Sequence, residues 1–142
     1  MPSAVATGSY YQHRTVTWLT RHGFAVAITQ RMLSVWTPRG LVHTKRDQLG
    51  ADVIAMGQDQ TLVIQIKGGA TWRSGLAAAR KEFAKYPLGP GCWQVIMGWS
   101  PRAREPVFVT VAVGPCAAEH PVIVPPRKKA TRTSLPLFAR SA

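Results

Sequence analysis

Acidic side chains are scarce in this chain of 142 residues: six Asp plus Glu stand against 18 Lys plus Arg, a formal charge of +12. A surplus of that size argues against cationic partners and favours a polyanion, nucleic acid ahead of a membrane surface. The plain alternative is a basic protein whose charge serves solubility or a ribosomal setting. Cysteine is nearly absent as well. Cys92 and Cys116 stand alone with no CxxC spacing, which excludes a disulfide framework or a zinc site. No apolar run approaches the ~18 residues of a membrane span. The opening "MPSAVATGSYYQHR" lacks a basic segment followed by an apolar one, so no signal peptide is expected and the expected setting is cytoplasmic. "GGATWRSG" is glycine-rich but carries no GK[ST], so it is not a phosphate-cradling Walker loop.

What is present is enough apolar sequence, 46% of residues, to bury the core of one domain. In "GSYYQHRTVTWLTRHGF", Gln12, Val16 and Leu19 fall at i, i+4 and i+7, which predicts a first helix stopped at Gly23. "FAVAITQ" predicts a strand. Residues 31–46, "RMLSVWTPRGLVHTKR", predict an irregular hairpin turning at "TPRG". "WRSGLAAARKEFAKYP" predicts a second helix with Leu76, Ala79, Phe83 and Tyr86 inward. "CWQVIMGW" and "PVFVTVAV" predict two further strands. The expected fold is α/β or α+β, a central mixed sheet flanked by helices over residues 1–116. Residues 117–142 are basic and Pro-rich, and a flexible tail is expected there.

Between Gly50 and Gly69 lies "GADVIAMGQDQTLVIQIKGG", two β-prone runs around a turn signal. A turn centred between Gln58 and Asp59 pairs Met56 with Thr61, Ile54 with Val63, and Asp52 with Gln65. Paired residues share a face, and Lys67, two residues beyond Gln65, shares it too. The opposite face carries Val53, Ala55, Leu62, Ile64 and Ile66, which predicts a hairpin covered on both sides. Asp52, Gln65 and Lys67 then cluster at one end of a buried hairpin, where unpaired charge is costly. A solvated Asp–Lys pair at a frayed strand end is the structural explanation. The functional one is a metal site, because carboxylate and amide oxygens are hard ligands that suit Mg²⁺ and a neighbouring Lys would meet substrate phosphate.

An Asp entering one strand, followed on the next by an acid or Gln, any residue, and a Lys, resembles the signature of the PD-(D/E)XK nuclease superfamily. "GSYYQHRTVTWLTRHGFAV" is similar to the start of its Holliday-junction-resolvase branch, where a glycine precedes a helix with an inward acid, and a "GF" and a strand come after it. The resemblance covers roughly residues 8 to 113. It implies a restriction-endonuclease-like core in α-β-β-β-α-β order. It also implies a Mg²⁺-dependent endonuclease (Mn²⁺ as substitute) acting on branched DNA as a homodimer, in DNA recombination or repair. Asp52, Gln65 and Lys67 take the catalytic positions. Gln12 takes that of the helix acid, and the backbone carbonyl of Ile66 joins Asp52 and Gln65 around the metal. Two positions depart from the pattern, since Gln12 and Gln65 offer oxygen but no charge. Asp47, in the loop "HTKRDQLGAD", is the candidate second carboxylate. A DNA-binding module that has lost catalysis is the alternative.

Arg31, Arg39, His43, Lys45, Arg46 and Arg73 are the expected DNA contacts in the folded part, with Arg127, Lys128 and Lys129 in the tail. Trp36 and Trp72 stand near Arg39 and Arg73, as base-stacking platforms or as ordinary packing.

Overall fold

The computed structural model describes residues 4–29, 31–46 and 49–126. The chain forms α1 (Ala4–Arg21), β1 (Ala25–Ile28), β2 (Arg31–Thr37), β3 (Gly40–Arg46), β4 (Val53–Gly57), β5 (Gln60–Gly68), a 3₁₀ turn (Trp72–Gly75), α2 (Leu76–Phe83), β6 (Cys92–Trp99) and β7 (Val107–Val113). β5 lies at the centre of a five-stranded mixed sheet of order β1-β4-β5-β6-β7. β5 and β6 run parallel and the other pairs antiparallel. A parallel pair needs a crossover, and the segment through the 3₁₀ turn and α2 supplies it. Among the described residues β2 and β3 pair only with each other, as a separate sheet inserted between β1 and β4 in the chain.

The two helices cover opposite faces. Tyr11, Trp18 and Leu19 of α1 pack on Val53, Ala55, Leu62, Ile64, Val95 and Met97. Ala79 and Phe83 of α2 pack on Ala51, Val63 and Ile96. The alternation is that of strands buried on both sides, so successive β5 residues feed different cores. Each fully buried Leu, Ile or Phe contributes roughly 1.5–3 kcal/mol. Their polar neighbours are satisfied. The Trp99 indole N–H donates to Thr15 Oγ1 at 2.8 Å, and Thr15 Oγ1 donates in turn to the Tyr11 carbonyl, also at 2.8 Å. Gln94 Nε2 donates to the Phe83 carbonyl at 3.0 Å, holding the end of α2 where carbonyls have no helical partner.

Several expectations are corrected. α1 begins at Ala4, so Gly8 lies within the helix and does not precede it. The second helix is shorter than residues 72–87: its first turn is 3₁₀, and it ends before Pro87, whose ring disfavours helix in the preceding residue. With eight residues, about 12 Å, α2 does not reach the far half of β4. Met56 is therefore 55% exposed, and the central hairpin is not covered on both sides along its whole length.

The start of the segment expected as a tail runs back over the domain. Trp93 Nε1 donates to the Ala118 carbonyl at 2.9 Å, and Val122 exchanges two hydrogen bonds with the Gln60 side chain. Residues 127–142, with Arg127, Lys128 and Lys129, lie outside the described residues.

Candidate active site

The backbone enters β4 through two consecutive left-handed residues, Leu49 (φ 58°) and Gly50 (φ 68°). A side chain at Gly50 would be strained by that φ and would also stand 3.2 Å from Glu82 and Tyr86 of the α2 segment. This tight entry is tied to the edge strand at Ala51 and Asp52. Thr29 Oγ1 donates to the Ala51 carbonyl at 2.6 Å, and the Thr29 N–H donates to the Asp52 carbonyl at 3.0 Å. Asp52 therefore leads into β4 from an anchored backbone.

The paired register Met56–Thr61 and Ile54–Val63 is as the turn signal predicts, and it ends at Val53–Ile64. Beyond that the ladder slips by one. The Asp52 N–H donates to the Ile64 carbonyl at 2.9 Å, although Ile64 is the pairing partner of Val53. The slip follows directly on the left-handed entry at Leu49 and Gly50, and the Asp52 side chain bonds onward along β5. Its Oδ2 accepts the Ile66 N–H at 2.8 Å. In a strand, the N–H and C=O of one residue point toward the same neighbour. The Ile66 carbonyl thus faces the Asp52 side of β5.

Gln65 is 8% exposed and lies on the α2 face. Its Nε2 donates to the Gly50 carbonyl at 2.6 Å. With the amide nitrogen committed to the loop, the side-chain oxygen is the atom left to accept. Lys67 lies on the same face, half-buried. Its aliphatic stem runs along Gly75, whose position would bring a Cβ within 3.3 Å of the Lys67 Cδ and Cε. Arg73, in the same 3₁₀ turn, is exposed, with its guanidinium 4.4 Å from the Trp72 ring centre. Around one end of β5 the structure thus gathers Asp52, Gln65, the Ile66 backbone, Lys67 and Arg73.

Other expected residues are placed elsewhere. Gln12 lies half-buried on α1, the helix of the opposite face; its neighbour Tyr11 covers Gly68, where a Cβ would overlap the ring. Among the described residues, no hydrogen bond joins Gln12 to Asp52, Gln65 or Lys67. Asp47 lies outside the described residues. The backbones of Arg31 and Arg46 pair at the base of the β2–β3 hairpin, Lys45 pairs with Met32, and His43 with Ser34. Arg31 and Arg46 sit at the base of this hairpin, whereas Arg39 lies at its turn end. Trp72 is buried, its ring against Gly98, and so is packing and not a base platform. Trp36 is 80% exposed.

The fit to Mg²⁺ rests on the donor set. Among the described residues there is no group of three His, Cys, Asp or Glu that could hold a metal ion. Glu82 lies beyond Gly50, but Lys85 Nζ binds its carboxylate at 2.8 Å. At this strand end the oxygens are those of the Asp52 carboxylate, which accepts the Ile66 N–H, the Gln65 amide and the Ile66 carbonyl. Mg²⁺ takes hard oxygen donors, among them one or two carboxylates, and these three groups are of that donor type.

Sequence reasoning missed Thr29 and Gly50, which position Asp52. Gly50 directly before "ADVI" was the available signal. No family model, no curated protein and no solved structure matches the chain.

Proposed function

We propose that the protein is a metal-dependent DNA endonuclease with a restriction-endonuclease-like core, cleaving phosphodiester bonds in branched DNA. One observation carries this reading. The Asp52 carboxylate is held at 2.8 Å on the Ile66 N–H, with Gln65 and Lys67 flanking that residue on β5. Together with the Asp…Gln-x-Lys pattern and a chain charge of +12, this supports the reading.

Asp52, the Gln65 side-chain oxygen and the Ile66 carbonyl would hold Mg²⁺, or Mn²⁺ in its place. A bound ion of this kind supplies Lewis-acid polarisation of the phosphate and a more acidic water. The Ile66 N–H holds Asp52 Oδ2 and two backbone hydrogen bonds anchor its main chain, which would orient the carboxylate before substrate arrives. Lys67 presents its ammonium beside the same strand end, to offset charge on the phosphate oxygens or orient water. Arg73 and the base of the β2–β3 hairpin bring further cations for the flanking backbone. A junction needs two cuts and each chain has one such hairpin, so a two-fold homodimer is the simplest assembly.

Asp52→Ala and Lys67→Ala should each lower Mg²⁺-dependent cleavage of a labelled four-way junction by at least ~100-fold. Junction binding should stay near wild type. Full cleavage by either variant would remove the assignment. The single carboxylate favours a second reading, a DNA-binding module without catalysis, and a wild type inert in both Mg²⁺ and Mn²⁺ would establish it. Light scattering that gave a monomer, with equal affinity for junction and linear duplex, would leave only a simpler nuclease.

A further inference from the structure

On the α1 side of the same sheet end lies a pocket of about 210 Å³ that takes no part in the site above. Arg14, Arg21 and His13 line it from α1, Arg104 from the β6–β7 loop, and Trp18 and Trp99 also line it. None of the lining side chains is acidic, and among the described residues the arginines make no ion pair. Three guanidiniums in one concavity repel one another unless an anion joins them. Arg14 is already ordered: its guanidinium lies 4.5 Å from the Trp99 ring centre and donates to the Ala103 carbonyl. That carbonyl occupies one of five N–H donors. The neighbouring carboxylate, Glu105, is turned to the indole, accepting Trp18 Nε1 at 2.6 Å.

The position of the pocket says which anion. Trp99 pairs with Gly68 in the parallel ladder, one residue beyond Lys67. The pocket and the candidate active site therefore flank the C-terminal ends of β5 and β6 from opposite faces. Ligands of open α/β sheets bind at that end. Arg14 and Arg21 stand two helical turns apart, about 10 Å along α1. That spans the rise of about three phosphates on one DNA strand.

We infer that this pocket is a phosphate-binding subsite for a DNA strand that passes over the sheet end. The inference rests on the nuclease reading for the path of the strand, but its test reads binding alone. Arg21 and Arg104 are exposed, so R21A/R104A removes two charges without opening the core. Its log–log salt slope for binding a DNA duplex should be shallower than wild type by about 1.8. R80A/K81A removes the same charge from the exposed side of α2 and should change the slope by less than ~0.5, because distant exposed charges are screened. Equal slopes for wild type and R21A/R104A, or equal changes in both double variants, would overturn the proposal.

Tryptophan fluorescence separates the sources of phosphate. A single-stranded 12-mer should saturate the signal at concentrations at least ~100-fold below inorganic phosphate, through several linked contacts. Saturation by inorganic phosphate at the same concentration or lower would assign the pocket to a small phosphate compound and overturn the proposal. A protein that binds DNA through this pocket without cutting it keeps the pocket and loses the nuclease reading. Cleavage by wild type with an unchanged slope in R21A/R104A does the reverse.

Discussion

Two hairpins in this molecule have similar strands and opposite fates. β4–β5 and β2–β3 are both antiparallel, both joined by two-residue turns, and both rich in β-formers. In β4–β5, Val53, Ala55, Leu62 and Ile64 are fully buried. In β2–β3, Trp36 pairs with Leu41 across the strands, yet the two are 80% and 45% exposed. A two-stranded ribbon has no second layer to bury its apolar pairs, and cross-strand contact alone does not remove them from water. The difference lies in what surrounds them: β1, β6 and both helices flank the one, whereas Trp36 and Leu41, near the turn of the other, face solvent. Rigid burial is what can hold Asp52 and Gln65 in one geometry.

Substitutions should separate the two hairpins by size of effect. Leu62→Ala in the buried hairpin should lower stability by about 2–5 kcal/mol in urea denaturation, from lost burial and the cavity left behind. A cost under ~1 kcal/mol would mean that β5 is not central. Gln65→Leu should cost about 1–3 kcal/mol, because it leaves the Gly50 carbonyl buried without its donor. Gln65→Glu loses the same donor but adds charge at the oxygen, so tighter Mg²⁺ binding at lower stability is the expected pair of results. Lower stability with an unchanged metal titration would make Gln65 purely structural. Trp36→Ala should change stability by no more than ~0.5 kcal/mol. It should still weaken single-strand binding if the ring stacks on a base, by about 1–3 kcal/mol. A large stability loss there would show that the ribbon packs against something.

The sequence carried the hairpin register down to Val53–Ile64, because a tight turn and alternating side chains leave one solution with the apolar face inward. It also placed β6 from Cys92 to Trp99, an apolar run broken by Gln94 in a strand buried on both faces. The slip at Asp52 was not legible. It depends on the left-handed φ of Leu49, a residue with no preference for that region, and on Thr29 from a distant strand. Gln12 shows the same limit from the other side. Its spacing with Leu19 marked a helical face correctly, but not which face of the sheet the helix would cover. The Arg14, Arg21 and Arg104 pocket needs the β6–β7 loop brought back to α1, a contact between residues about ninety apart that no local pattern encodes.

The central claim is that Asp52 is a metal ligand fixed by its neighbours, and Asp52→Asn tests it most directly. Asparagine keeps an oxygen for the Ile66 N–H, so the fold and the entry into β4 should survive. It removes the charge that a hard cation needs. Mn²⁺ binding measured by calorimetry on the junction-bound protein should show one ion per chain for wild type. Asp52→Asn should bind at least ~10-fold more weakly while melting within a few degrees of wild type. Equal Mn²⁺ affinity in the two proteins, with the junction bound, would contradict the assignment of Asp52 to the metal.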